Sequence, residues 1–359
     1  MTRSNGSPKV SALLEQCLQA LDGGDQLAAR ALIRRAEALA AAAGPLALAN
    51  TAVISGLVEQ DAGDLTAAAQ KFGKAAAQAA QQLAVPDGVC LHLHASTLLG
   101  ALHRSQGHYA QAGEVLLGAL ERTAGAAADP LDVAAVYNEL GMVGKYAGDF
   151  DQAARSYMQA LTLLQGCLGP DDPELATIYH NLGGLAHARG SYQAAEEPAR
   201  RAVAIRERAL GPGHPDVAAD RAALAPILFE LGRREEAEQL LREALAVFED
   251  FYGPDHYETA IALSNLAAVI QDGDAGREAE ACFQRALTIL EAALGPQHPE
   301  LAPVLHNLAH LRRAQHDLDS ARVLTERAHT LLKDTVQPGH PTLTAINNAL
   351  PEGAPGWAG

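Results

Sequence analysis

Apolar residues recur at three- and four-residue intervals along most of the chain, as in Leu161, Leu164 and Leu168, or Ala237, Leu240, Leu241, Ala244 and Leu245. That spacing places them on one face of an α-helix. The helical stripes are interrupted at regular places. LGPDDPELA begins at Leu168, LGPGHPDVA at Leu210, YGPDHYETA at Tyr252 and LGPQHPELA at Leu294, so the spacing is 42 residues each time. VQPGHPTLT, from Val336, keeps the register, and Pro86 and Asp129-Pro130 extend it toward the N-terminus. Halfway between these loops lie GDFDQA at Gly148, GSYQAA at Gly190 and GRREEA at Gly232, with looser copies at Gly107 and Gly63. Each period therefore holds two helices. Gly169, Gly211, Gly253 and Gly295 are placed to end one helix in a left-handed conformation. Pro173, Pro215 and Pro299 are placed to open the next in its first turn, and Asp129 and Asp172 to cap it.

A stripe of this kind has no core of its own, so each helix pair must bury its apolar face against its neighbours. Small residues hold the same register where helices approach: Ala153, Ala195, Ala237, Ala279 and Ala321, then Ala160, Ala202, Ala244, Ala286 and Ala328. The expectation is an all-α stack. Its parts are a disordered leader at 1–10, divergent helical repeats at 11–128, regular 42-residue repeats at 129–350 and a flexible tail at 351–359, rich in Pro and Gly.

The segments Asn181-Leu182-Gly183, Asn265-Leu266-Ala267 and Asn307-Leu308-Ala309, the G-x-Y/F-x-x-A turn and the small-residue columns resemble the tetratricopeptide repeat. The LGPxHPxxA linker and 42-residue period resemble its kinesin light chain branch. The resemblance implies a right-handed superhelical solenoid of antiparallel helix pairs, about eight repeats long, whose first helices line a concave groove. Carried across, the pattern puts Asn138, His180, Ser264 and His306 in the groove, with Lys145, His187, Phe229, Gln271 and Arg313 seven positions further on and His310 between. It gives Asn181, Asn265 and Asn307 the role of bonding a bound peptide's backbone, because an amide both donates and accepts. Glu139 and Ala223 depart from that column. The competing role for these asparagines is to bond neighbouring repeats, since Asn inside a helix needs such compensation.

Composition narrows the partner. With 27 Lys and Arg against 43 Asp and Glu, a net charge of −16 repels phosphate backbones, so no nucleic acid is expected. No apolar run reaches the roughly 18–20 residues of a membrane span. Cys17, Cys90, Cys167 and Cys282 show no CxxC spacing, which fits small buried residues in a reducing cytoplasm. No cofactor or structural metal is expected.

Five histidines, His103, His180, His187, His306 and His310, fall in groove positions, whereas His214, His256, His298 and His340 belong to the linker and are expected to cap turns. His306 and His310 stand at i and i+4, the spacing of zinc helices, without the glutamate of HExxH. His180 and His187 are two turns apart, about 10.5 Å along the axis, too far to share an ion easily. Pro198 and Pro226 fall inside helices, where each removes a hydrogen bond. The leading expectation is a non-catalytic scaffold that holds a peptide or protein segment in the groove. The alternative is a solenoid recruited as an enzyme or as a small-molecule or metal binder, with His180, His187, His306 and His310 as working groups, although an open groove excludes water poorly. A third reading makes the alanine-rich N-terminal third a self-association face. Trp357, the only tryptophan, is a candidate plug for the groove.

Overall fold

The computed structural model of the protein describes residues 8–271 and 275–350. The expected tail with Trp357 lies outside the described residues, as do residues 1–7 of the expected leader. Residues 8–10 of that leader instead start the first helix, where Val10 is buried.

Seventeen α-helices and two single-turn 3-10 segments make up the described residues, with no strand. The helices are α1 (Pro8–Asp22), α2 (Gln26–Ala43), α3 (Pro45–Asp61), α4 (Leu65–Ala79), α5 (Pro86–Ser105), α6 (Tyr109–Thr123), α7 (Pro130–Ala147), α8 (Phe150–Cys167), α9 (Pro173–Ala188), α10 (Tyr192–Leu210), α11 (Pro215–Glu230), α12 (Arg234–Phe251), α13 (Tyr257–Ile270), α14 (Gly276–Leu294), α15 (Ala302–Ala314), α16 (Leu318–Leu332) and α17 (Pro341–Ala349). Taken in chain order they make eight consecutive pairs, with α17 opening a ninth.

The chain divides into two compact units. One holds the described residues up to Val143 together with Thr162–Cys167; the other holds Gly144–Leu161 and the described residues from Leu168 onward. In the first unit α1 packs on α2, α3 on α4 and α5 on α6, and α3 also touches both α1 and α5. In the second, α9 packs on α10, α11 on α12, α13 on α14 and α15 on α16, while α11 touches α9 and α13, and α15 touches α17. Contacts that skip a helix thus join odd-numbered helices, which form the inner layer of each unit. The alanine columns lie at the helix crossings: Ala195, Ala237 and Ala279 are fully buried, as are Ala202 and Ala286. Large side chains such as Phe248, Phe283 and Leu290 fill the space around them.

The linker chemistry explains where helices begin. Asp172 Oδ1 accepts from the Glu174 N–H at 3.0 Å, and in later repeats an imidazole does the same. Nδ1 of His214, His256 and His298 accepts from the N–H of Asp216, Glu258 and Glu300 at 3.2, 3.2 and 3.3 Å. At the helix ends, Gly211 (φ 86°, ψ 156°) and Gly295 (φ 89°, ψ 156°) have the expected positive φ but an extended ψ. That region is open essentially to glycine alone. Gly169 is not among the positive-φ residues.

Both interior prolines are accommodated, since α10 runs through Pro198 and α11 through Pro226. Pro226 leaves the Ala222 carbonyl one turn back without its helical donor, and Asn265 Nδ2 approaches that oxygen at 3.5 Å.

One turn position breaks the glycine rule. Gly148, Gly190 and Gly232 take φ of 87°, 71° and 81°, and in the same register His316 takes φ 64°. A residue that carries a side chain loses about 1 kcal/mol there. His316→Gly is therefore expected to stabilise the second unit by several tenths to about 1 kcal/mol, read as a higher urea midpoint.

Candidate functional site

The inner layer of the second unit carries most of the residues expected in the groove, and they fall into two chemically different groups. The first is a knot around Asp220. In the 42-residue register Asp220 matches Ile178, Ala262, Val304 and Ile346, all at most 3% exposed, and Arg206 matches Leu164, Phe248, Leu290 and Leu332. In this one repeat, two core positions have become an ion pair. Arg206 Nε donates to Asp220 Oδ2 at 2.8 Å and its Nη2 to Thr177 Oγ1 at 3.3 Å. The other carboxylate oxygen, Oδ1, lies 2.8 Å from His180 Nδ1. Asp220 is 2% exposed, and burial of a carboxylate demands such partners. With Nδ1–H donated to Asp220, the ring presents Nε2 as an acceptor. Sequence reasoning found His180 and missed Asp220 and Arg206, although two charges in otherwise apolar columns are a readable signal.

His187 and Lys145 belong to the same half of the unit. The Lys145 ammonium lies over Gly184, where a Cβ would come within 3.0 Å of Nζ. Burial, and then the Lys145 charge, push the His187 imidazole down to about 4, so it is neutral at pH 7. Its ring lies 5.5 Å from that of Tyr192. Asn181 and Ser264 are only 8% exposed, and Phe229 packs against the core. Tyr257 donates to Glu300 Oε2 at 2.5 Å, and burial together with that carboxylate keeps its phenol protonated far above the ordinary range.

The second group lies on α15 and at the end of α13, and several of its polar atoms lack partners. His306 Nδ1 is buried with no hydrogen bond, and so is Gln271 Oε1, although Gln271 Nε2 donates to the Ala268 carbonyl at 3.2 Å. Asn307 has no hydrogen-bond partner for its side chain among the described residues. His306 is kept neutral first by burial and then by the charges of His310 and Arg313. Arg313 donates to the Ala349 carbonyl of α17 at 3.0 Å, and nearby Asn347 Oδ1 is another buried acceptor without a donor. Asn138 belongs to the first unit, next to Glu139, which pairs with Arg104 at 2.5 Å.

The inner face of the second unit is not open along its whole length. The loop before α17 returns to the turn between α7 and α8, where the Gln337 N–H donates to the Ala147 carbonyl at 2.8 Å. There the His340 ring sits 6.1 Å from that of Phe150. Unlike the other linker histidines, His340 makes no side-chain cap. No group of three or more metal-ligating side chains comes together among the described residues, and no described helix is long and apolar enough to cross a membrane.

Two outcomes follow from this geometry. Removing one member of the buried pair leaves Asp220 with His180 alone (Arg206→Leu) or Arg206 with Thr177 and the more exposed Asp216 at 3.6 Å (Asp220→Val), and is expected to cost up to about 3–5 kcal/mol. The double variant restores the apolar columns and should be at least as stable as the parent, which urea denaturation of the three variants checks. Second, a histidine that titrates near 6.5 when unfolded and near 4 when folded leaves stability intact above pH 6.5 and removes it as pH falls toward 4. His187→Gln should flatten the fall of the urea midpoint across that interval.

The tetratricopeptide repeat profile matches residues 132–208, 199–250, 217–277 and 270–334, together more than half of the chain. No curated protein sequence matches the chain. Among solved structures, the Rap conjugation gene regulator of the plasmid pLS20, in complex with the Phr* peptide, is similar at a TM-score of 0.62 and 15% identity, over 97% of this chain and 99% of that one. The apo quorum sensor NprR of B. thuringiensis is similar at 0.62 and 14% identity, over 90% of this chain and 87% of that one. The kinesin light chain nearly identical TPR-like repeats of Podosopora anserina give 0.45 and 22% identity, over 56% of this chain and 95% of that one. These likenesses are of fold; the repeat profile, with the helix pairing and its 42-residue register, places the chain in the tetratricopeptide repeat family.

Proposed function

We propose that the protein is a non-catalytic interaction scaffold of the cytoplasm that binds an extended peptide or protein segment on the inner face of its second unit. The binding surface in this reading is Gln271, His306, Asn307, His310 and Arg313. One observation carries it: His306 Nδ1 and Gln271 Oε1 are buried without a hydrogen-bond partner and the Asn307 side chain has none among the described residues, whereas around α9 and α11 His180 and Asn265 are engaged by the fold. Native structures leave few buried polar atoms unpaired. A peptide backbone offers both donors and acceptors at the spacing a row of Asn, Gln and His side chains needs. The Rap regulator, which shares the fold, is in complex with the Phr* peptide, and this agrees with a scaffold of this kind holding a peptide.

The His180–Asp220 geometry favours a second reading, an oriented imidazole acting as a general base. Among the described residues no hydroxyl or thiol is hydrogen-bonded to His180, so that reading has no nucleophile among them.

Selection of a displayed random decapeptide library on the full chain tests the proposal. A defined motif is expected, with Asn307→Ala and His306→Ala each weakening the selected peptide at least tenfold while leaving thermal melting unchanged. Absence of any enriched motif, or peptides whose affinity ignores both substitutions, would overturn it.

A further inference from the structure

The first unit contains a cavity of about 650 Å³ on its own inner layer, formed by α1, α3, α5 and the start of α7. Its volume lies within the range of small-ligand sites, about 300–1,000 Å³. The walls are largely apolar, with Leu14 and Leu18 of α1 and Val53 and Leu57 of α3 in the lining beside Ser11, Asn50 and the His94 imidazole. The rim is acidic, with Asp87 at the start of α5 and Asp129 and Asp132 at the start of α7. No lysine or arginine lines the cavity. Among the described residues none of these three carboxylates forms an ion pair; Asp87 and Asp132 stand in the first turns of α5 and α7, with His94 beside Asp132, and Asp129 accepts from the Leu131 N–H at 3.0 Å.

We infer that this cavity is a binding site for an apolar body that ends in an ammonium group. The apolar walls gain by excluding water from a hydrocarbon moiety, and the rim supplies the opposite charge where that moiety would emerge. An anionic head at the same place would meet three carboxylates and no cation. The ammonium can come from a free hydrophobic amine or from the α-amino terminus of a peptide that begins with an apolar residue, and both present the same chemistry to the site. The site is separate from the residues of α13 and α15 and does not depend on their role.

Calorimetric titration of the full chain with octylamine, octanol and octanoate tests the inference. Octylamine is expected to bind at one equivalent, at least tenfold more tightly than octanoate, with octanol between. Asp87→Asn and Asp132→Asn should each erode the preference for the amine. Leu18→Trp and Leu57→Trp should block all binding by filling the cavity, and circular dichroism on both variants identifies one that remains folded. Leu-Leu-amide against its N-acetylated form then separates the two sources: binding of the free form alone assigns the site to peptide N-termini, and binding of neither assigns it to small amines. Equal affinity for all three octyl compounds, an amine preference that survives both Asp→Asn changes, or no binding at all would overturn the inference. Concentration-dependent self-association abolished by the Trp variants would also overturn it, by making the cavity a contact between copies of the chain.

Discussion

No helix pair in this chain can bury its apolar face alone. Each face is satisfied only by the next pair, and the alanines at 195, 237 and 279 and at 202, 244 and 286 fix how closely the pairs approach. At those crossings a larger side chain has nowhere to go, because interiors pack near crystal density and overpacking costs about 1–3 kcal/mol. Gly183 shows how tight the approach is, since a Cβ there would lie 3.0 Å from that of Ala199. Polar links along the outer surface follow the same period, as in Arg200 with Glu236 and Arg242 with Glu278. Partly exposed pairs of this kind contribute little individually, so the apolar repeat sets the architecture and the charges decorate it.

Against so regular a frame, departures carry information. Replacing two core columns by Arg206 and Asp220 gains no evident stability, because a buried ion pair at best offsets its own desolvation. What the pair does is fix the ring of His180 on the inner face through Asp220. Asn265 illustrates a different use of a polar group. Its amide serves the carbonyl that Pro226 leaves open, so at this position the structure favours repeat-to-repeat bonding over ligand contact, while Asn307 on α15 has no such duty. Residues that look equivalent in the register are thus not equivalent in the fold.

Much of the fold was legible in the sequence because its information is local and repeated. Linker prolines, capping residues and the midpoint turn act within a few residues of where they stand, and Asp172 and His256 cap as their positions imply. The site was less legible because its decisive features are non-local. Whether a groove histidine is occupied or available depends on a residue forty positions away, as for His180 and Asp220. The cavity of the first unit escaped notice because the repeat diverges there, and without the register no column marks which side chains share a wall.

The loop before α17 couples distant parts of the second unit. Gln337 and His340 return to the turn at Ala147 and Phe150, and Gly148 makes room for the contact, since a Cβ there would lie 3.0 Å from the His340 ring. One backbone hydrogen bond nets about 1 kcal/mol and an aromatic pair about 0.5–1.5, so this closure is modest in strength. It nevertheless anchors the segment that leads into α17, whose Ala349 carbonyl accepts from Arg313. The end of α15 that carries Arg313 is therefore tied to an element anchored at the turn between α7 and α8. The turn at Gly148 and the Arg313 end of α15 are thus linked through one element, although they lie far apart in sequence.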